Sequence, residues 1–395
     1  MRIFRQLSTP HLLGLLAAVV VVAIGASVAA MAALGSSAPT PTAEPLDQAL
    51  RDAASAAGPD GITARVQFTN NLFPSGSLSG LTGHEGSALQ SSASGRLWWS
   101  SDGQGRIELQ SDSGDTQILW GPGKAVTAYD SSSNTVYRLP VDVPARSAND
   151  GKAPPSLADI DRFLNGLAEH WTLSGAIPSD VAGQPAYAVR ISPAHSGGLL
   201  GALQLAWDAN QGVPLEIGVY AQGQSSPVLG LAVTDVSYGP VSSGDLAISP
   251  PANAKTVDLG TAGTGDQNGS KSESGGQNVS GLAAVQAQLP FTVSAPAELV
   301  GLPRQTVRLI GGSEKGALVL YGHGLGAVAV VERQATSGGG GQLSQLPQVS
   351  IGSATGHELA TQLGTIIAFQ SGGVSYLVAG SMPASAAETA ARSLE

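Results

Sequence analysis

Ile62-Thr63-Ala64-Arg65-Val66-Gln67-Phe68-Thr69 places an apolar residue at every second position and a polar one between. A helix would scatter these side chains around its axis. A strand sends Ile62, Ala64, Val66 and Phe68 to one face and the polar set to the other. The stretch therefore predicts antiparallel sheet with one face buried and one solvated. The same period recurs further along the chain. Ile107 and Leu109 sit among Arg106, Glu108 and Gln110, and Tyr187-Val189-Ile191, Leu203-Leu205-Trp207 and Leu215-Ile217-Val219 repeat it. Gly, Asn, Asp or Pro bounds each run. Val126 and Ala128 follow less cleanly, because Ala125 and Tyr129 are also apolar or aromatic.

Two helical patterns interrupt the alternation. Residues 44–57 carry Pro45, suited to a first turn, then Leu46 and Leu50 four apart, with Gly58-Pro59 as the stop. Ser156-Leu-Ala-Asp159 is a cap sequence, followed by Ile160, Phe163, Leu164 and Leu167 at helical spacing. A helix of about three turns is expected there. Residues 71–92 are rich in Gly and Ser and read as a long loop.

The chain has 395 residues, which predicts two domains plus extras. Residues 258–282 nearly lack large apolar side chains and read as a flexible Gly/Ser linker. It separates a first domain, 44–257, from a smaller α+β domain, 283–395. In the latter, Val307–Leu309, Ala317–Tyr321, Ala327–Val331, Thr365–Phe369 and Val374–Val378 look like short strands. Pro383 to Leu394 reads as a closing helix with Ala386, Ala390 and Leu394 on one face.

Residues 1–38 form an anchor or signal segment. Arg2 and Arg5 precede an apolar run from Leu12 to Leu34, long enough to cross a ~30 Å hydrocarbon core as a transmembrane helix. The basic residues would hold the N-terminus inside and send the rest out. The expected location is the cell membrane, single-pass, with the C-terminal part extracytoplasmic. Ser27-Val28-Ala29 and Ala30-Met31-Ala32 also offer cleavage sites, in which case the protein is secreted. Pro39, Pro41 and Pro45 make a short stiff spacer.

Composition excludes several chemistries. A net charge of -10 with 19 Lys and Arg argues against nucleic acid as a partner. The absence of Cys removes disulfides, thiolate metal sites, thiol nucleophiles and a lipidated N-terminal Cys. The six His include no HxxxH pair. No GxSxG occurs, and Gly121-Pro-Gly123-Lys124 lacks the rest of a phosphate loop. Gly322-His-Gly324-Leu-Gly326-Ala327 formally fits a dinucleotide fingerprint, but Val328-Ala-Val330-Val331 continues as strand where a helix is required. It reads as a hairpin turn. Asp112 and Asp115 read as turn residues, and Asp159 and Asp161 do not share a helix face. His84-Glu85, His170, His195, His323 and His357 suggest no site. No enzyme, metal or cofactor is expected.

Trp98, Trp99, Trp120, Trp171 and Trp207 fall in or beside predicted strands. Core packing and the lining of an apolar cavity both account for them. Adjacent Trp98 and Trp99 must point to opposite faces.

The order of these pieces resembles the LolA/LolB/RseB/LppX superfamily. The phrases that carry it are Gly95-Arg-Leu-Trp-Trp99, Asp130-Ser-Ser-Ser-Asn134-Thr-Val-Tyr137, Val181-Ala-Gly183-Gln-Pro-Ala-Tyr187 and Trp207-Asp208 with Gly212-Val-Pro214-Leu215. They are similar to segments of LolA-like membrane-anchored proteins of actinobacteria. Leu320-Tyr-Gly-His-Gly-Leu325-Gly-Ala-Val-Ala-Val330, followed by Val378-Ala-Gly-Ser-Met-Pro383-Ala-Ser-Ala-Ala, resembles the C-terminal domain of RseB/MucB. His323-Gly324 stands where that domain has an acidic turn.

The resemblance implies an α+β protein: a LolA-like antiparallel half-barrel sheet wrapped over helices, plus the smaller C-terminal domain. It implies a non-enzymatic module that binds lipid or lipoprotein acyl chains in an apolar cavity. The alternative is a regulator that binds an anti-sigma factor or other envelope membrane protein and senses envelope state. On alternation, the cavity residues would be Val66, Phe68, Leu97, Trp99, Ile107, Leu109, Ile118, Trp120, Val189, Leu205, Trp207 and Ile217. Partners would be lipid or acylated protein, the membrane through the N-terminal helix, and a membrane protein such as an anti-sigma factor.

Overall fold

The computed structural model describes residues 40–72, 88–89, 92–112, 114–139, 156–195, 198–258, 279–311, 315–335 and 346–395. The expected membrane run, most of the 71–92 loop and most of the linker lie outside them. Among the described residues no helix is long and apolar enough to cross a membrane.

The protein is α+β and mostly strand, with a curled half-barrel sheet and few helices. The first sheet has 13 strands. One meander runs Gly61–Asn70 (β1), Ala93–Ser100 (β2), Gly105–Ser111 (β3), Gly114–Trp120 (β4), Val126–Asp130 (β5) and Thr135–Leu139 (β6). Next come Trp171–Leu173 (β7) and Ile177–Val181 (β8), which both pair with Gln184–Pro193 (β9). The second meander continues through Leu200–Asp208 (β10), Pro214–Ala221 (β11) and Leu229–Tyr238 (β12). Antiparallel pairing of β1 with β12 joins the two meanders, with a bulge between Arg65 and Val66. Lys255–Asp258 (β13) returns to the far edge and pairs parallel with β6.

Among the described residues two helices serve this sheet. Leu46–Ser55 (α1) packs its apolar stripe on the sheet through Leu46, Ala49, Leu50 and Ala53. It is shorter than the expected 44–57, and Pro45 is its N-cap, not a member of its first turn. Leu157–Ala168 (α2) lies beside α1. Its start is the expected capping box: Ser156 accepts from the Asp159 amide, and the Asp159 carboxylate accepts from the Ser156 amide.

The second sheet has eight strands. They are Glu298–Leu299 (β14), Leu302–Ile310 (β15), Gly316–Tyr321 (β16), Val328–Gln334 (β17), Gln348–Ile351 (β18), Ala354–Thr361 (β19), Gly364–Ser371 (β20) and Val374–Gly380 (β21). The order is β14-β15-β16-β17-β21-β20-β19-β18. Leu282–Gln286 (α3) and Ala384–Arg392 (α4) pack against it. Chain pairing begins ahead of residue 283, since Ser280 bridges to Arg308 and the Leu309 amide donates to Val279 O.

Gly322–Ala327 connects two antiparallel strands, β16 and β17, through a 3-10 turn at Gly324–Gly326. The buried face of α4 is Ala387, Ala390, Ala391 and Leu394, with Ala386 only partly covered. Spacing by fours alone drifts about 40° per step around a 3.6-residue helix, which takes Ala386 off the stripe. Alternation also failed to mark β12. Leu231, Ala232 and Val233 are all buried, because this strand runs through the middle of the sheet and is covered on both faces.

Candidate functional site

Strand register decides which side chains share a face. Ala64 lies opposite Leu97, Leu97 opposite Ile107, and Ile107 opposite Ile118. Phe68 lies opposite Leu231, Leu231 opposite Ile217, Ile217 opposite Leu205, and Leu205 opposite Val189. Strand alternation carries these rows to Val66, Trp99, Leu109, Trp120 and Trp207. All the residues expected from the sequence to line a cavity thus occupy one face, the face on which α1 lies.

That face is divided between two packed clusters. Val66, Phe68, Ile107, Leu109, Ile118 and Trp120 are buried together, with Leu97 and Trp99 half-buried against them. Val189 and Trp207 belong to a second cluster under α1, with Tyr187 buried beside them and Leu205 at the margin. Ile217, half-buried, belongs to neither cluster. Ile107, Leu109 and Ile118 are each 0% exposed, so other side chains of the protein already cover them.

Trp98 and Trp99 do point to opposite faces, and Trp98 on the outer face is the more buried of the two. Arg106, its cross-strand neighbour, lays its guanidinium 4.9 Å from the ring centroid. Glu108 and Gln117 hold that guanidinium at 2.6 and 3.1 Å.

The second cluster opens toward solvent between the helices. Leu50 of α1 and Asp159, Ile160 and Phe163 of α2 line a half-open apolar groove of 280 Å³. This is just below the usual volume of a small-molecule site. Phe163 is 61% exposed at its rim. Asp159 is tied into the helix cap and pairs with Arg162 at 2.9 Å. The bond from the Ser156 hydroxyl, then Arg162, holds its carboxyl below the usual range. Beneath Leu50, Tyr187 donates to Thr42 O at 2.6 Å, and its ring lies 6.1 Å from that of Trp207. The buried Trp207 Nε1–H has no acceptor among the described residues.

Sequence reasoning placed Phe163 on an apolar helical stripe, which reads as core. Its exposure becomes visible only in the structure, where Ile160 is buried and Phe163 is not. A second omission is Glu332. It is 0% exposed, at a core-facing position of β17 after Val328 and Val330. The signal was a carboxylate in register with buried valines.

Polar contacts link the two sheets. The Leu199 amide, in the β9–β10 connection, donates to Ser381 Oγ at 2.9 Å. Gln362 Nε2, in the β19–β20 turn, donates to Asn71 O at 2.9 Å. Gly198 has φ +65°, and a Cβ there would lie 2.2 Å from Ser381 O, so the two backbones approach as only glycine allows. Among the described residues no group of three His, Asp or Glu could hold a metal ion.

No family model and no curated protein matches the sequence. Solved structures of MucB do. MucB in complex with MucA(peri) has a TM-score of 0.40 at 16% identity, covering 88% of this chain and 96% of that chain. The MucA/MucB complex of Pseudomonas aeruginosa has a TM-score of 0.40 at 15% identity over the same shares. MucB alone has a TM-score of 0.34 at 16% identity, again over 88% and 96%. These are proteins of the RseB/MucB type that the sequence resembles. At such TM-scores the likeness carries no weight for function.

Proposed function

We propose that this chain is a non-enzymatic, LolA/RseB-like extracytoplasmic regulator that binds an anti-sigma factor or another envelope membrane protein. The N-terminal segment holds it at the membrane. The observation that carries this reading is Phe163, 61% exposed on the rim of the groove lined by Leu50 and Ile160. An aromatic anchor beside an apolar groove is what a protein partner buries first. Covering the ring contributes about 1.5–3 kcal/mol. Phe68, Ile107, Leu109, Ile118, Trp120 and Trp207 of that face are by contrast buried in the protein's own packing. The polar contacts at Ser381 and Gln362 suit two units that shift against each other when a partner docks. The MucB–MucA complexes contribute nothing to this reading; the groove and the sequence resemblance support it.

The test is a photo-cross-linker placed at Phe163 in the full chain, expressed in its native envelope. A cross-link to one membrane protein, lost in Phe163→Asp, is the expected result. Cross-linking no stronger than at an exposed control position such as Gln222 would sink the proposal.

A second reading has one observation of its own. Trp207 Nε1–H is a buried donor without an acceptor among the described residues, within an apolar cluster that reaches the groove through Leu50. An acyl carbonyl could accept from it while the chain lies against Leu50 and Phe163. Native mass spectrometry of the protein purified without delipidation tests this, with a lipid mass that Trp207→Phe reduces as the supporting outcome.

A further inference from the structure

Residues 291–297 lead from α3 into the second sheet, and three side chains hold them. Gln286 Nε2 donates to Phe291 O at 2.7 Å, and Gln286 Oε1 accepts from the Val293 amide at 2.8 Å. Arg304 Nη1 donates to Ala295 O. The Ser294 amide donates to Glu332 Oε2 at 2.9 Å. The last tie is unlike the others, because Glu332 is wholly buried and its Oε1 has no partner among the described residues. Tyr321 Oη, also wholly buried, lacks a partner as well.

We propose that Glu332 is a proton-operated latch on residues 291–297, closed when its carboxyl is neutral and loosened when it ionises. The neutral acid keeps a carbonyl oxygen for the Ser294 amide and brings no charge into the core. The carboxylate would be a buried charge with one backbone donor and no cation, an arrangement that costs several kcal/mol. Lifting residues 291–297 lets water reach it.

The surrounding groups agree. β16 presents Tyr321 and the uncharged Ala317, and β21 presents Tyr376 directly opposite Glu332. Residues 291–297 present only an amide. Arg304 on β15 acts on Tyr321, and its guanidinium serves the Ala295 and Pro296 carbonyls. Glu388 and Arg392 of α4 pair with each other, and Glu388 acts on Glu358 of β19. Among the described residues no cation offsets the charge of Glu332. Burial, only partly opposed by the Ser294 amide, pushes its carboxyl up from 4.5 to about 7. The unfolded carboxyl ionises near 4.5 and the folded one near 7, so the unfolded state binds fewer protons between these values. Stability is therefore full below about 4.5 and is lost as pH rises through about 7.

Hydrogen exchange of the 291–297 amides in the full chain, corrected for intrinsic rate, reads the latch. Protection should fall by up to about 300-fold from pH 4.5 to pH 8, following the 4.5-to-about-7 shift. Glu332→Gln keeps an acceptor for Ser294 and cannot ionise, so its profile should be flat. An equal fall in that variant, or no fall in the parent, overturns the proposal. If Glu332→Gln does not fold, carboxyl-carbon NMR of the parent decides. One glutamate titrating near 7 supports the latch, and all titrating below 5 overturns it.

Discussion

Tyr238 Oη donates to Asp208 Oδ2 at 2.5 Å, tying the end of β12 to the turn between β10 and β11. Asp208 is 1% exposed, and its Oδ1 accepts from the Asn210 and Gln211 amides at 2.7 and 2.9 Å. One buried carboxylate thus shapes a turn and anchors a neighbouring strand. Tyr238→Phe removes one donor and should cost about 1–3 kcal/mol in urea unfolding. Asp208→Ala also strands the two turn amides and should cost more. Equal costs would mean that the turn bonds contribute nothing.

Two apolar residues of the first domain should respond in opposite ways. Ile107 is 0% exposed, and Ile107→Ala should destabilise by about 2–5 kcal/mol. Phe163→Ala should stay within about 0.5 kcal/mol of the parent, because the ring is largely in water. Partner capture should show the reverse order among folded variants. Calorimetry and pull-down on the same preparations check both.

Gly105 lies against the ring of Trp120, and a Cβ there would meet the ring at 2.0 Å. Trp120 is 5% exposed in the largest cluster of the first sheet. Gly105→Ala should displace the indole and cost on the order of 3 kcal/mol. Its signature is a red shift in tryptophan emission, absent from Gly123→Ala, where nothing stands within 4 Å.

Gly198→Val should prise the two sheets apart, since a branched side chain cannot share space with the Ser381 backbone. Small-angle scattering should show a larger radius of gyration, with both sheets intact by circular dichroism. An unchanged radius would show that the Leu199–Ser381 contact does not hold the two units in solution.

Much of the first sheet was legible because its strands are buried on one face only. The alternation through Phe68, Leu109 and Leu205 follows the strand register, which puts these residues on one face of the sheet. β12 was less legible, because Leu231, Ala232 and Val233 are buried in succession and Val233 and Val236 are thrown out of step by the bulge opposite Arg65 and Val66. So was β19, where Gly356, His357 and Glu358 interrupt the pattern and the strand is defined by pairing with β20. The groove was hidden for a related reason. Ile160 and Phe163 fall on one apolar stripe of a helical wheel, about 60° apart, and only the structure shows the first buried and the second exposed. Glu332 was hidden in plain alternation, because a period registers which face a residue takes and not whether its chemistry suits that face.

The seam between β1 and β12 has a consequence for how the chain must mature. Asn70 pairs with Leu229 and Ile62 with Tyr238, whereas the strands within each meander pair with near neighbours in sequence. Each meander can therefore zip locally, but the sheet closes only after Tyr238 has been synthesised and brought to Ile62. Closing so long a loop is slow, and until then β1 presents an open apolar edge. A polypeptide emerging N-terminus first would spend most of its transit with that edge unguarded. Folding of this protein should then be limited by the arrival of β12, and the waiting strand is the segment most exposed to aggregation.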